Sequence, residues 1–389
     1  MEFVKRCWAE IDLTKIVYNY KLFEDKLTDE KSEIIAVIKA NAYGHGANEI
    51  AAELSKNGCR FFAVSNITEA INLRKSGVKE KILLLGYTPE IYAKQLFDYN
   101  LIQAVYSLEY AQNLNAQAQK NGVTNEIYIK IDSGMGRIGF DAFDPESALE
   151  EIKKVALMPN LNICGAFTHF AIADAHTAES IRYTDEQGER FADLVEKIRQ
   201  SGIKIPVELC CNSAAGHYHP ELIMNGIRLG ISLYGLSPSN KEINGLPLKQ
   251  AMTLKTVVSM VKTLPKGRSV SYGRTYICSK DTKVATVSMG YADGYPRILS
   301  NKGFMWVQGK RVPVIGRVCM DQIMLDVTGL DVHYGDEVTV FGGESDITID
   351  EIANATDTIN YEITCGISAR VPRVFVKNGK IVSVRDNTY

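Results

Sequence analysis

The chain has 389 residues, 46% of them hydrophobic and 23% charged, which places it among ordinary globular proteins and excludes a wholly disordered chain. Lys plus Arg number 44 against 46 Asp plus Glu, a net charge of −2 that gives no electrostatic footprint for nucleic acid or an acidic membrane surface. A small molecule is the expected partner, and the length suggests two domains or one large barrel with an appendage.

The N-terminal stretch Met1 to Leu13 carries Glu2, Lys5, Arg6, Glu10 and Asp12 with no apolar signal core, and no segment approaches the length of a membrane span. Eight cysteines, none in a C-x-x-C arrangement, indicate neither a disulfide framework nor a zinc site. No metal is expected, and a reducing cytoplasm is the expected setting.

From about residue 33, short apolar β-branched runs alternate with longer amphipathic segments, the pattern of βα units on a parallel sheet. The runs predict strands at Ile34–Lys39, Phe61–Ser65, Ile82–Gly86, Gln103–Tyr106, Glu126–Ile131, Ile163–Thr168, Val207–Cys210 and, last, near Ile227–Leu233. Eight in series is the number of a (β/α)8 TIM-type barrel, assigned to residues 12–245. Helices are expected at Ala47–Lys56 and Thr68–Lys75, closed by Asn57-Gly58 and Ser76-Gly77.

Beyond Gly245 the texture becomes β-rich, with segments at Leu254–Leu264, Val284–Met289, Phe304–Val307, Val312–Ile315, Ile323–Val327 and Glu337–Phe341. This predicts a second, mostly β domain over residues 246–389, to which Phe3–Ile11 adds a strand.

In such a barrel the chemistry sits at the C-terminal strand ends. Lys39 ends the first strand within Ala36-Val-Ile-Lys-Ala-Asn-Ala-Tyr-Gly-His-Gly46; Lys130, Asp132 and Arg137 lie at or after the fifth, His169 after the sixth, Asn212-Ser213 after the seventh. A lysine closing an apolar strand is either a side chain that snorkels to the rim or an amine whose pKa burial lowers toward Schiff-base chemistry. Tyr43 beside Gly44 and Gly46 allows a tight turn with a phenol that could face an anion. Ser213 could cap a helix, the commoner role, or hold a phosphate oxygen, and Arg228-Leu-Gly230-Ile231 lets backbone N–H groups approach an anion. Gly134-Met-Gly-Arg137-Ile-Gly139 matches G-x-G-x-x-G, but Phe140 to Pro145 interrupts the helix that a dinucleotide site should open, so that reading is rejected. Tyr272, Tyr291 and the clusters Cys319-Met-Asp-Gln322 and Asn360-Tyr-Glu362 read most simply as hairpin residues and solvated turns.

Taken in order, the motifs around Lys39, Lys130–Gly139, Thr168-His-Phe170, Asn212-Ser-Ala214, Val270-Ser-Tyr-Gly273, Gly290-Tyr-Ala-Asp-Gly294, Cys319–Gln322 and Asn360-Tyr-Glu362 resemble those of the alanine racemase family over essentially the whole chain. The resemblance implies pyridoxal 5'-phosphate as cofactor and a two-base interconversion of L- and D-alanine on its aldimine. Lys39 matches the cofactor lysine. Tyr43, Ser213, the Gly230-Ile231 backbone and Tyr361 match phosphate ligands, with Asn212 beside them in the cofactor-binding set. Arg228 matches the arginine at the pyridine nitrogen, and His169 the residue supporting it. Arg137, Met320 and Asp321 match positions at the substrate carboxylate. Tyr272 matches the second catalytic base, and Lys130 a lysine often carried as a carbamate that could orient Arg137.

The resemblance further implies a head-to-tail homodimer with shared active sites and no membrane or nucleic-acid partner. A serine or broad-specificity racemase is the alternative within the same chemistry. A barrel-plus-β decarboxylase would lack the Ser-Tyr-Gly and Cys-Met-Asp-Gln pair, and the β domain carrying Tyr272 argues against a mere cofactor carrier.

Overall fold

A computed structural model describes residues 3–27, 29, 32–239 and 246–386. The junction expected at 245/246 borders residues 240–245, which lie outside the described residues. The chain divides into two compact units, one of residues 17–42 and 47–233, the other of 1–16, 43–46 and 234–389.

The first unit is built on eight parallel strands: Glu33–Val37, Phe61–Val64, Lys81–Leu84, Ile102–Val105, Asn125–Asp132, Leu161–Phe167, Glu208–Leu209 and Gly226–Leu229. Each pairs with the next through the seventh, and the eighth pairs back onto the first, Gly226 opposite Glu33 and Leu229 opposite Ala36. The ring closes between the seventh and eighth strands, where Arg228 N donates to Cys211 O at 3.0 Å and Asn225 N to Glu208 O at 3.1 Å. Runs such as Phe61-Phe62-Ala63-Val64 are buried on both faces, as parallel strands covered by helices and packed inward must be.

The helices begin where capping chemistry allows. Asn66, Ser107, Asp144 and Thr177 each accept a backbone N–H three residues on, and Pro145 follows Asp144 in the first turn. Helix Ala47–Lys56 has the expected bounds, and the second, Ile67–Lys75, starts one residue earlier than the pattern suggests.

The strand bounds differ from expectation mostly by one or two residues, and the ends of the first and eighth matter most. The first strand stops at Val37, two residues short of Lys39, because Ala40, Asn41, Ala42 and Tyr43 all have φ between 51° and 55° and no strand continues through left-handed backbone. The eighth stops at Leu229, and Ile231–Tyr234 winds into a 3-10 turn.

In the second unit a sheet runs in the order Lys310–Pro313, Phe304–Val307, Glu337–Phe341, Met252–Leu264, Cys7–Asp12, Arg373–Lys377, Lys380–Arg385. The 13-residue strand Met252–Leu264 also pairs with Thr282–Val287, which pairs with Ile323–Asp326. Cys7–Asp12 lies antiparallel to Met252–Leu264 and parallel to Arg373–Lys377, with Trp8 and Ile11 buried. The last two strands and the helices Ile349–Ala355 and Asn360–Cys365 come on top of the expected β segments. Among the described residues no helix is long and apolar enough to cross a membrane.

Candidate active site

In the barrel unit the residues expected at the strand ends converge. Lys39 follows the first strand at the start of a left-handed turn that is held from the neighbouring βα connection: Glu69 accepts Ala40 N at 2.7 Å and Ser65 N at 2.8 Å. Asn41 Oδ1 accepts Ala47 N at 2.9 Å, tying the far end of the turn to the next helix. Four consecutive residues in left-handed conformation each cost about 1–2 kcal/mol, so such a turn persists only when its surroundings impose it.

Arg228 points inward from the eighth strand with 4% of its surface exposed. Its Nη1 donates to Leu209 O at 2.7 Å, and Nη2 to Thr168 O at 2.6 Å and Cys210 O at 2.9 Å, so three carbonyls at the ends of strands six and seven fix the guanidinium. The Nε–H carries no bond among the described residues. Burial lowers the group from 12.5 to about 10, which leaves it charged at neutral pH.

Lys130, equally buried, donates to Ile131 O at 2.7 Å and lies over the Phe167 ring. Burial first and the Arg228 charge second bring its pKa down to about 7, with Asp132 opposing and Arg137 adding to the fall. His169 is pushed well below 6.5 by burial and by Arg228, Arg137, Lys130 and Lys39, and is neutral at pH 7.

Arg137 stands exposed on a loop whose backbone wraps Asp132: Gly134 N, Gly136 N and Arg137 N donate to that carboxylate at 3.0, 3.1 and 2.9 Å. These bonds hold Asp132 below the usual carboxylate range. The glycine-rich segment runs on into the two-residue strand Phe140–Asp141, not into a helix.

The capping role the sequence offers Ser213 falls to its neighbour Asn212. Asn212 Oδ1 accepts Ala215 N at 2.9 Å and so holds the start of the short helix Ala215–Tyr218, while Ser213 Oγ accepts Gly230 N at 2.9 Å. Ser213 is thus not a cap, and it joins the Asn212-Ser213 end to the Gly230-Ile231 turn.

The remaining candidates lie in the second unit. Tyr43 packs with Tyr234 and Tyr361, ring centroids 5.0 and 5.9 Å away. Tyr361 lies in the first turn of helix Asn360–Cys365, where a solvated turn was expected, and the buried Asn360 beside it bonds Ser237 O and Asp350. Gly44 faces Thr364: a Cβ would come within 2.2 Å of the Thr364 carbonyl oxygen.

Tyr272 sits at the tip of a hairpin formed by Ser269–Val270 and Tyr276–Ile277, with Ser271, Gly273 and Arg274 at positive φ and Ser271 Oγ donating to Arg317 O at 2.6 Å. The phenol is 70% exposed. Tyr272, Met320 and Asp321 line one groove of about 520 Å³, together with Lys262 and Arg268. Asp321 is not simply solvated: Arg370 pairs with it and with Asp293, whose side chain is fully buried and also takes Arg6 and Gly290 N. Asp293, Arg370 and Glu69 are site-supporting residues that strand-end reasoning misses, because their partners lie 29 to 287 positions away.

Lys39, Lys130, Arg137, His169 and Arg228 lie near one another at the barrel mouth, with Asp132 the nearby carboxylate. These residues fit pyridoxal phosphate, which has a phosphate, a phenolic oxygen and a ring nitrogen to meet them. Fold and site together define a class, that of barrel enzymes with basic residues gathered at the strand ends and a second, mostly β unit. The profile of the alanine racemase N-terminal domain matches residues 11–238 and that of the C-terminal domain residues 251–375. An alanine racemase of Clostridium perfringens is 46% identical over 387 residues, covering 98% of each chain. The solved structure of an alanine racemase from Clostridium difficile superposes with a TM-score of 0.94 at 38% identity over 100% of both chains. One from Bartonella henselae with covalently bound pyridoxal phosphate gives 0.83 at 28% identity, over 95% of this chain and 99% of that one. The chain belongs to the alanine racemase family, a family of isomerases.

Proposed function

We propose that the protein interconverts L-alanine and D-alanine as a homodimer, with pyridoxal 5'-phosphate held on Lys39. The observation that carries this reading is the meeting of Lys39, Lys130, Arg137, His169 and Arg228 at the mouth of the barrel, in the one unit. When bound, pyridoxal phosphate supplies the electron sink that makes the Cα proton of an amino acid removable. Everything else falls to the chain.

Ser213, the Gly230 and Ile231 N–H groups, Tyr43 and Tyr361 would bind the phosphate, with Asn212 beside them in the cofactor-binding set. Arg228 holds the ring nitrogen by hydrogen bonding; a guanidinium is too weak an acid to hand over its proton, which limits how far negative charge is drawn away from Cα. His169, neutral, supports Arg228 without adding charge. Arg137 would orient the substrate carboxylate, with Met320 through its N–H and Asp321 at positions beside it.

With a pKa of about 7, much of Lys130 is a free amine at neutral pH. Its nitrogen can add to carbon dioxide with loss of one proton, and the resulting carbamate anion orients Arg137.

Racemisation requires one acid/base group on each side of Cα. Lys39 Nζ exchanges the proton of the D-enantiomer, and the phenolic oxygen of Tyr272, supplied by the partner subunit, that of the L-enantiomer. The exposure of Tyr272 supports its assignment to a neighbouring subunit. The eight free cysteines support a cytoplasmic setting.

The test is Lys39→Ala, assayed for D-alanine formed from L-alanine and, in parallel, from L-serine. The expected result is a loss of turnover by at least about a thousandfold, in the range of removing a principal acid/base group that also anchors the cofactor. A variant racemising at the normal rate contradicts the assignment, and faster turnover of serine than of alanine by the wild type reassigns the substrate.

A further inference from the structure

The 23-residue helix Ala178–Gln200 packs in the barrel unit, and none of its side chains has a part in the site so far. Tyr183, Gln187 and Arg190 are spaced four and three apart, so they share one face of it. All three reach backbone atoms of the loops that leave strands five and six. The Tyr183 hydroxyl donates to Gly134 O at 2.8 Å, and Arg190 Nη1 donates to Ser133 O. Gln187, fully buried, accepts Ala171 N at 2.9 Å and donates through Nε2 to His169 O at 3.3 Å.

Arg190 is itself held, by Glu186 at 2.9 Å and by the Phe143 ring 4.4 Å below its guanidinium. Gly134 is where the three side chains meet. A Cβ there would lie 2.7 Å from the Tyr183 hydroxyl, 3.1 Å from Arg190 Nη1 and 3.2 Å from Gln187 Cγ, and its φ is +138°.

We propose that Tyr183, Gln187 and Arg190 are positioning residues, a brace on one helix face that sets the Arg137 loop and the His169 loop in register at the barrel mouth. The inference rests on the reading of Arg137 given above. Gly134, Gly136 and Gly139 all adopt positive φ, so the loop backbone is permissive; the Asp132 bonds tie it to its own strand end and the Ser133 Oγ–Thr168 Oγ1 bond at 2.8 Å ties its first residue to strand six, which leaves Gly134 itself to be fixed by the helix. A helix of more than six turns supplies the rigid reference. An Arg137 displaced by even about 1 Å misaligns the substrate carboxylate, and such displacements cost up to about a hundredfold in rate.

The experiment uses holoenzymes carrying Tyr183→Phe, Arg190→Met and Arg190→Lys, each alone and combined with Arg137→Lys, with kcat, KM for L-alanine and thermal midpoint measured for all. Tyr183→Phe and Arg190→Met should each raise KM and lower kcat/KM by about three- to tenfold, the scale of one hydrogen bond. Arg190→Lys, which keeps a donor, should recover part of the loss, with thermal midpoints close to wild type. In the Arg137→Lys background the same changes should add almost nothing.

Full activity in Tyr183→Phe and Arg190→Met beside a damaged Arg137→Lys overturns the brace alone, as does a loss that multiplies onto Arg137→Lys. Normal activity in Arg137→Lys overturns the reading of Arg137 and the brace with it.

Discussion

Lys130 shows how burial and a neighbouring charge prepare a side chain for chemistry. In the unfolded chain its amine takes a proton below about 10.5; in the barrel it does so only below about 7. A lysine whose folded pKa is depressed weakens the fold as pH falls: the penalty is absent above about 10.5, grows between about 10.5 and 7, and is complete below about 7. The shift corresponds to about 5 kcal/mol as an order of magnitude. In buffer depleted of carbon dioxide, Lys130→Met should therefore stabilise the protein most near about pH 6 and hardly at all near about pH 10.5, as read by urea unfolding. An equal effect at both pH values would contradict the neutral buried amine. The sequence makes Lys130 visible as a strand-end lysine, but not its environment, which depends on Arg228 98 positions away along the chain, at the end of the barrel's last strand.

At the scale of elements, the eight barrel strands are legible because each is a short apolar run buried on both faces and punctuated by ordinary helix caps and stops. Their ends are less so. Nothing in the period of Lys39-Ala-Asn-Ala-Tyr43 announces a left-handed turn, since that conformation is imposed by Glu69 and Asn41 through bonds to backbone N–H groups. The pair Asn212-Ser213 is legible as a turn, while the division of labour inside it is not, because Ser213 bonds Gly230 across the barrel closure.

Helix Asn360–Cys365 was hidden by its shortness, six residues being too few for a periodic signal. In the second unit, Gly44 is a position where only glycine fits. At φ +83°, with Thr364 O 2.2 Å from any Cβ and its own carbonyl taking Arg373 Nε at 3.0 Å, Gly44→Ala should destabilise by about 2–4 kcal/mol, combining left-handed strain with a backbone clash. A thermal midpoint within a degree or so of wild type would show that the turn relaxes instead.

For the whole molecule, the decisive claim is that one subunit's Lys39 works with another's Tyr272. A tyrosine 70% exposed at a hairpin tip, beside Met320 at 51%, is a large apolar and polar surface for one chain to leave uncovered, and the proposed dimer covers it. Two inactive homodimers, Lys39→Ala and Tyr272→Phe, should then complement each other after mixing and reassociation. Half the dimers formed are mixed and each mixed dimer holds one intact site of two, so about one quarter of wild-type activity should return. No recovery would place both groups in a single chain's site.

The most direct measurement of all is simpler. Purified holoenzyme is assayed for D-alanine formation from L-alanine, with its visible cofactor absorbance recorded before and after borohydride. The account predicts efficient formation of D-alanine, and a band that borohydride abolishes together with the activity, because the cofactor becomes fixed to Lys39. A reducible band without racemisation would contradict the account.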